Sequence, residues 1–314
     1  MNNHFDVIVI GAGAAGLTAG IYLSRAKLKT LILNEGAVGG QMVLTHEIAN
    51  YPGIESISGY ELARNMKLQA QKFGCTIKSN IKITSLELEP ELKRINVNNK
   101  DVYTSDAVII STGGKSRMIG AVGEDKFKGK GISYCATCDG DFFQDKEIIV
   151  VGGGNSALEE AVSLTKYASK VTVVHQFDHF QAFEHYVEEA KKNEKINFIM
   201  ESKIIEFVGD EKLNLVKIQH QATNEITEMK IDGVFIFIGY VPNTESIDGL
   251  VELNEWKEIV VDKNMKTNLS GVYAAGDSIQ KRYRQVTTAV ADGTIAALSA
   301  AEFMNKLKER EAAI

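Results

Sequence analysis

Short β-branched runs that stop at a polar or glycine-rich turn recur along the chain and predict strands. Val7 to Ile10 runs into Gly11-x-Gly13-x-x-Gly16 and then into an alanine-rich helix. A second strand, KTLILNE, closes on Glu35. The order returns later, as strand Ile148 to Val151, the turn Gly152, Gly154, Ala157, a helix, and strand Val171 to Val174 before a polar switch at His175. Near the C-terminus, LSGVYAAGDSIQ reads as a strand closing on Gly276-Asp277, followed by a helix from about Val286.

Strand, glycine turn, helix, strand and acid in that order point to dinucleotide binding. Gly11 permits the tight turn, Gly13 lets the backbone approach a pyrophosphate, and Gly16 lets the helix pack close to the strand. The helix N-terminus offers N–H groups and partial positive charge to the phosphates. Glu35 is expected to bond a ribose hydroxyl, and Asp277 is placed to meet a ribityl chain. The fold class expected is α/β, with two Rossmann-like dinucleotide-binding domains, the second inserted into the first. Hinges at Ser111 to Arg117 and Ile238 to Glu245 bracket the insertion. The expected domains are residues 1–114 with 244–314, and residues 115–243.

Composition narrows the class. The 314 residues are 44% hydrophobic and 24% charged, ordinary for a soluble globular protein. A net charge of −6 gives no global attraction to nucleic acid or an anionic membrane. The start, MNNHFDVIVIGAGAAG, has no basic n-region, and no stretch approaches the roughly 20 apolar residues of a membrane span. Three cysteines are too few for a disulfide framework, so a reducing, cytoplasmic location is expected.

Two of those cysteines form Cys135-x-x-Cys138, followed by Asp139. Such a pair is half a zinc site or a redox dithiol. Zinc needs about four ligands, and neither a second CxxC nor a His pair exists, so no metal is expected. Asp139 is a candidate proton donor or acceptor in dithiol exchange, with a turn-capping role as the alternative. Cys75, alone in KFGCTIK, reads as a small core residue.

In order along the chain, GAGAAG, GGQ, NYPG, CATCDG, GGGNSALEEA, IGYVPNT, VYAAGD and YRQVTTAVADG resemble the low-molecular-weight thioredoxin reductases. The resemblance implies a three-layer ββα sandwich, a homodimer, non-covalent FAD, and thioredoxin as substrate. By position it assigns FAD to Gly11, Gly13, Ala14, Ala15, Gly16, Glu35, Gly40, Gln41, Asn50, Thr112, Gly113, Gly276, Asp277, Arg284, Gln285 and Val286. It also makes Cys135 and Cys138 the disulfide reduced by flavin, with Asp139 as acid/base.

One stretch departs from that pattern. NADPH-using members carry H-R-R-x-x-x-R after the second strand of the inserted domain, where the arginines hold the 2′-phosphate. Here Gln176, Phe177 and Gln181 replace all three. No carboxylate suited to NADH stands at the strand end, which is His175-Gln176. NADPH is therefore not expected to bind well, and the chain is most similar to the ferredoxin-dependent flavin thioredoxin reductases. Ferredoxin is the expected donor, and the alternative is an unorthodox NADPH or NADH site. A non-catalytic flavoprotein redox sensor is the reading of another class. Basic clusters at Lys126, Lys128, Lys130 and at Lys281, Arg282, Arg284 are candidate docking surfaces for an acidic ferredoxin. Phe142 and Phe143 are candidate thioredoxin anchors.

Overall fold

The computed structural model describes residues 3–45 and 47–312, with side chains as far as Arg310. The chain forms two compact units, Met1–Lys115 with Val241–Ile314, and Ser116–Tyr240.

Along the first unit run β1 (His4–Ile10), α1 (Ala14–Arg25), β2 (Thr30–Asn34), α2 (Gly59–Lys72), β3 (Thr76–Ser79), β4 (Ile83–Leu88), β5 (Lys93–Val97) and β6 (Asp101–Ile110). Strand β7 (Gly114–Ser116) carries the chain into the second unit. There follow α3 (Glu124–Phe127), β8 (Ile132–Ser133), α4 (Ala136–Asp139), β9 (Glu147–Val151), α5 (Asn155–Leu164), β10 (Lys170–Val174), α6 (Glu184–Lys192), β11 (Ile196–Ile199), β12 (Ser202–Gly209), β13 (Leu213–His220), β14 (Ile226–Lys230) and β15 (Gly233–Ile236). The chain returns through β16 (Tyr240–Pro242), which pairs with β7, to β17 (Val272–Ala274) and α7 (Val286–Ala312) in the first unit.

Both units are built alike. In the first, β3-β2-β1-β6 are parallel, and the C-terminal half of β6 also pairs in parallel with β17. The N-terminal half of β6 pairs antiparallel with β5, which pairs with β4. Alternate residues of β1 feed opposite cores, as the period of two requires. Val7 and Val9 join the helical side with α1, α2 and α7, while Ile8 and Ile10 join the meander side with Leu86, Ile95 and Val97. In the second unit the parallel sheet β11-β10-β9-β15-β8 repeats the scheme. Ile148 and Val150 face α5 and α6, and Ile149 and Val151 face the antiparallel meander β12-β13-β14. Each unit is thus a helix layer, a parallel sheet and a β-meander. The fold is mixed α/β with two Rossmann-like domains, as the strand and turn order predicts.

Candidate active site

The first glycine turn is shaped by contacts that tolerate no side chain. Gly11 has φ +101°, and a Cβ there would lie 2.2 Å from the Ser111 carbonyl oxygen. A Cβ on Gly16 would lie 1.9 Å from the Gly11 carbonyl oxygen. Gly13 caps α1 in an extended conformation without a side-chain bond. The first-turn N–H groups of Ala14, Ala15 and Gly16 are therefore left for an outside acceptor. Gly40 closes the other side, where an added Cβ would come within 3.1 Å of Gly13 Cα.

Other expected nucleotide residues gather within this unit. Asn50 Nδ2 donates to Gln285 Oε1 at 3.3 Å. The Thr112 and Gly113 carbonyls accept from the Asn243 side chain and backbone at 3.0 and 2.9 Å. Thr112 Oγ1 is itself buried, with no partner among the described residues. Gly276 N–H donates to Asp292 at 3.3 Å. Asp277, whose carboxyl burial pushes up in pKa, lies 3.2 Å from Lys281 Nζ, which also pairs with Asp292 at 2.7 Å. Arg284 pairs with Glu258, and Val286 begins α7. Gln41 is exposed on the short turn that follows Gly40.

Glu35 stands exposed just beyond the end of β2. Its Oε1 accepts the Ile83 N–H at 2.7 Å, toward β4. Strand β2 ends one residue earlier, so Asn34 is the side chain facing the glycines. Its Oδ1 accepts from Ala12 N–H at 2.9 Å, and its Nδ2 donates to the Gly36 and Ala37 carbonyls at 2.7 and 3.0 Å. The amide cross-braces the loop that a ribose would meet.

In the second unit Cys135 and Cys138 are joined in a disulfide with Cα atoms 5.3 Å apart. Both are half-buried, on the single turn of α4, where the Cys138 and Asp139 N–H groups donate to the Cys135 carbonyl. One turn of helix carries little dipole, and Asp139 is the titratable group that ends the turn. Burial first, then the Asp141 charge, raises that carboxyl above the ordinary aspartate value. Ser133 opposes both through a 2.6 Å hydrogen bond to Asp139 Oδ2. Sequence reasoning passed over Ser133, although it lies two residues before Cys135 on β8. Phe142 is 38% exposed, while Phe143 packs edge-on against Phe235 at 5.1 Å. Cys75 is buried, and burial pushes its thiol up to about 11. Among the described residues no group of three or more His, Cys, Asp and Glu side chains is placed to hold a metal ion, and no helix is long and apolar enough to cross a membrane.

The second glycine turn keeps its backbone form. Gly152 has φ +138°, and nothing lies within 4 Å of a Cβ built on Gly154. The segment after β10 is aromatic. The buried His175 ring stacks with Phe180 at 5.8 Å and meets Phe177 edge-on at 5.3 Å, and Phe177 stacks on His179 at 6.0 Å. Gln176, Phe177 and Gln181 are exposed, and Asp178 pairs with His179 at 2.6 Å.

Of the two basic clusters, Lys281 and Arg284 are only 12% and 23% exposed and are committed to carboxylates, so Arg282 is the surface charge there. Lys126 and Lys130 are exposed, with Lys126 Nζ tied to the Gly209 carbonyl at 2.9 Å.

Two glycine-turn units and a Cys135–Cys138 disulfide are the features of an oxidoreductase acting on disulfides. The family model described as pyridine nucleotide-disulphide oxidoreductase matches residues 5–293, and the chain belongs to that family. It is 44% identical to a thioredoxin reductase of Peptoclostridium litorale, over 98% of this chain and 99% of that one. It is equally similar, at 44% over 95% of this chain and 97% of the other, to a 34.2 kDa protein in a rubredoxin operon of Clostridium pasteurianum. The crystal structure of thioredoxin reductase from Streptococcus pyogenes superposes with a TM-score of 0.94 at 39% identity, covering 98% of this chain and 100% of that chain.

Proposed function

We propose that the chain is an FAD-dependent thioredoxin-disulfide reductase, passing electrons from reduced ferredoxin through FAD and the Cys135–Cys138 pair to thioredoxin. The observation that carries the reading is the half-buried Cys135–Cys138 disulfide beside an Asp139 carboxyl that burial holds toward its protonated form. A disulfide spanning one half-buried turn, next to a carboxyl that can hold a proton, suits exchange better than structural cross-linking. The 44% identity to a thioredoxin reductase supports the substrate.

The first unit fits FAD. The first-turn N–H groups of Ala14, Ala15 and Gly16, the Thr112 Oγ1 with no partner among the described residues, and the half-buried Asp277 are the donor and acceptor set that a pyrophosphate and a ribityl chain require. Gly11, Gly13, Glu35, Gly40, Gln41, Asn50, Gly113, Gly276, Arg284, Gln285 and Val286 complete the holding set. When bound, FAD supplies both the acceptance of single electrons and the two-electron reduction of a disulfide. The chain's own part is to clamp the group in the first unit and to move protons at Asp139 in the second. Tyr22, Ile295 and Leu298, exposed on α1 and α7, support the homodimer. A cytoplasmic location agrees with reversible use of the dithiol.

For the donor, the supporting observation is the segment after β10. Each arginine lost from a 2′-phosphate removes charge-assisted bonds worth roughly 1.5–3 kcal/mol, and Phe177 sits in an aromatic cluster instead. A plant-type ferredoxin near −400 mV drives thioredoxin near −270 mV downhill by about 6 kcal/mol for two electrons. A second reading, NADPH or NADH as donor, is favoured by one feature, the open cradle at Gly154. Anaerobic titration of the flavin absorbance separates the two. Bleaching by reduced ferredoxin and not by micromolar NADPH or NADH, reversed by oxidised thioredoxin, is the expected result. Rapid bleaching by either nicotinamide would sink the ferredoxin assignment.

A further inference from the structure

We propose that Ser133 is a positioning residue for Asp139, the hydroxyl that sets where this carboxyl gives up its proton during thiol–disulfide exchange. The inference rests on the reduction reading above. Ser133 is 5% exposed, and its place on β8 is fixed by the register of Ser133 against Phe235 on β15. Its Oγ lies 2.6 Å from Asp139 Oδ2, accepts the Cys135 N–H at 3.1 Å, and lies 3.3 Å from the Cys135 carbonyl. A hydroxyl has one proton to donate. With Asp139 ionised, that proton goes to the carboxylate at the shorter distance. With Asp139 protonated, the acid donates to Oγ and the serine proton turns to the Cys135 carbonyl. Both states are satisfied, and both are tied to the backbone of the first cysteine.

The exchange this serves is balanced in protons and electrons. One thiolate of the reduced pair attacks a substrate sulfur, the substrate S–S bond breaks, and the leaving thiolate takes up the proton which that first thiol had released. The second thiol then passes its proton to Asp139. Its thiolate attacks the sulfur of the mixed disulfide and re-forms Cys135–Cys138. The released substrate thiolate takes the proton back from Asp139. Two thiols are oxidised, one disulfide is reduced, and Asp139 is unchanged. The charge acting on Asp139 is Asp141, from the following turn. Helix α5, packed against α4, carries Glu159 and Glu160, which act on each other.

The test compares Ser133→Ala and Ser133→Thr with the wild type in the full-length, FAD-loaded protein. The Asp139 carboxyl is titrated by carbon NMR on aspartate-labelled protein, with Asp139→Asn assigning its signal. The pH profile of thioredoxin reduction is measured alongside. Ser133→Ala is expected to move both midpoints upward by about one pH unit, and Ser133→Thr to restore them. Unmoved midpoints, with rates lowered evenly at every pH, would overturn the proposal. A shifted carboxyl midpoint in a protein that does not reduce thioredoxin supports the Ser133 link and overturns the reduction reading instead.

Discussion

Asp139 illustrates how enclosing a carboxyl costs stability. Burial disfavours its charge, so the folded state holds the proton more tightly than the unfolded chain does. With more protons bound in the folded state, stability falls as pH rises from the ordinary aspartate value through the raised folded value, and stays lower above it. Asp139→Asn removes that cost. It is expected to raise the melting temperature at pH 7 by roughly 1–3 °C while slowing thioredoxin reduction at least ~10-fold; calorimetry and a coupled turnover assay read the two. A variant that melts lower and reacts at the wild-type rate contradicts both halves. Asn34 and Glu35 give a second contrast at this scale. Asn34→Ala releases three bonds that brace the glycine loop and is expected to weaken FAD binding roughly 10-fold, at about 1.4 kcal/mol. Glu35→Gln keeps an acceptor for the Ile83 N–H but removes the charge offered to a ribose hydroxyl, and is expected to weaken FAD binding by less, about 2- to 5-fold by fluorescence titration. The run KTLILNE shows that a strand ends near Glu35, and the structure adds Asn34, one residue earlier, as the side chain bonded to the glycine loop.

At the level of elements, the phosphate turn depends on how closely α7 approaches α1. Gly293 on α7 meets Ala15, where an added Cβ would lie 2.2 Å from the Ala15 carbonyl oxygen. Gly293→Val is therefore expected to push the helices apart and cost about 1–3 kcal/mol. Ala15 is in the first turn of α1, so FAD retention on gel filtration should fall along with the urea midpoint. Loss of stability with full FAD retention would show that the strain relaxes away from the turn. The glycine turns themselves were legible in the sequence, because Gly11 and Gly152 need a positive φ that other residues resist. The meander β12-β13-β14 is punctuated only by ordinary hairpin signals, Gly209-Asp210 and Asn224 at φ +57°, which do not single out a meander, and it emerged from the fold. The cluster Lys281, Arg282, Arg284 read as a basic surface for a related reason. Lys281 is drawn inward by Asp277, four residues before it, and by Asp292, 11 residues on, while the Arg284 partner, Glu258, stands 26 residues away, beyond what local charge counting sees.

For the whole molecule, the topology sets how separable the two halves are. The chain leaves the first unit on β7 and returns on β16, and these two strands pair with each other. Arg117 N–H donates to the Gly239 carbonyl, and Asn243 N–H donates to the Gly113 carbonyl, each at 2.9 Å, so exit and entry run side by side in antiparallel register. Neighbouring strands are about 5 Å apart, a gap that two or three glycines can close. Each unit also holds two cores of its own on either side of its sheet. Joining Lys115 to Val241 through a short glycine linker is expected to yield a first unit that binds one FAD per chain, with affinity within about 10-fold of the intact protein. Residues 116–240 alone are expected to unfold in one cooperative transition and to keep a Cys135–Cys138 disulfide that dithiothreitol reduces. Flavin fluorescence and thiol titration read these two outcomes. If the joined first unit bound no FAD while remaining folded by circular dichroism, residues 116–240 would have to contribute to the flavin site itself. The holding set assigned to the first unit would then be incomplete, because that set contains no residue between Ser116 and Tyr240.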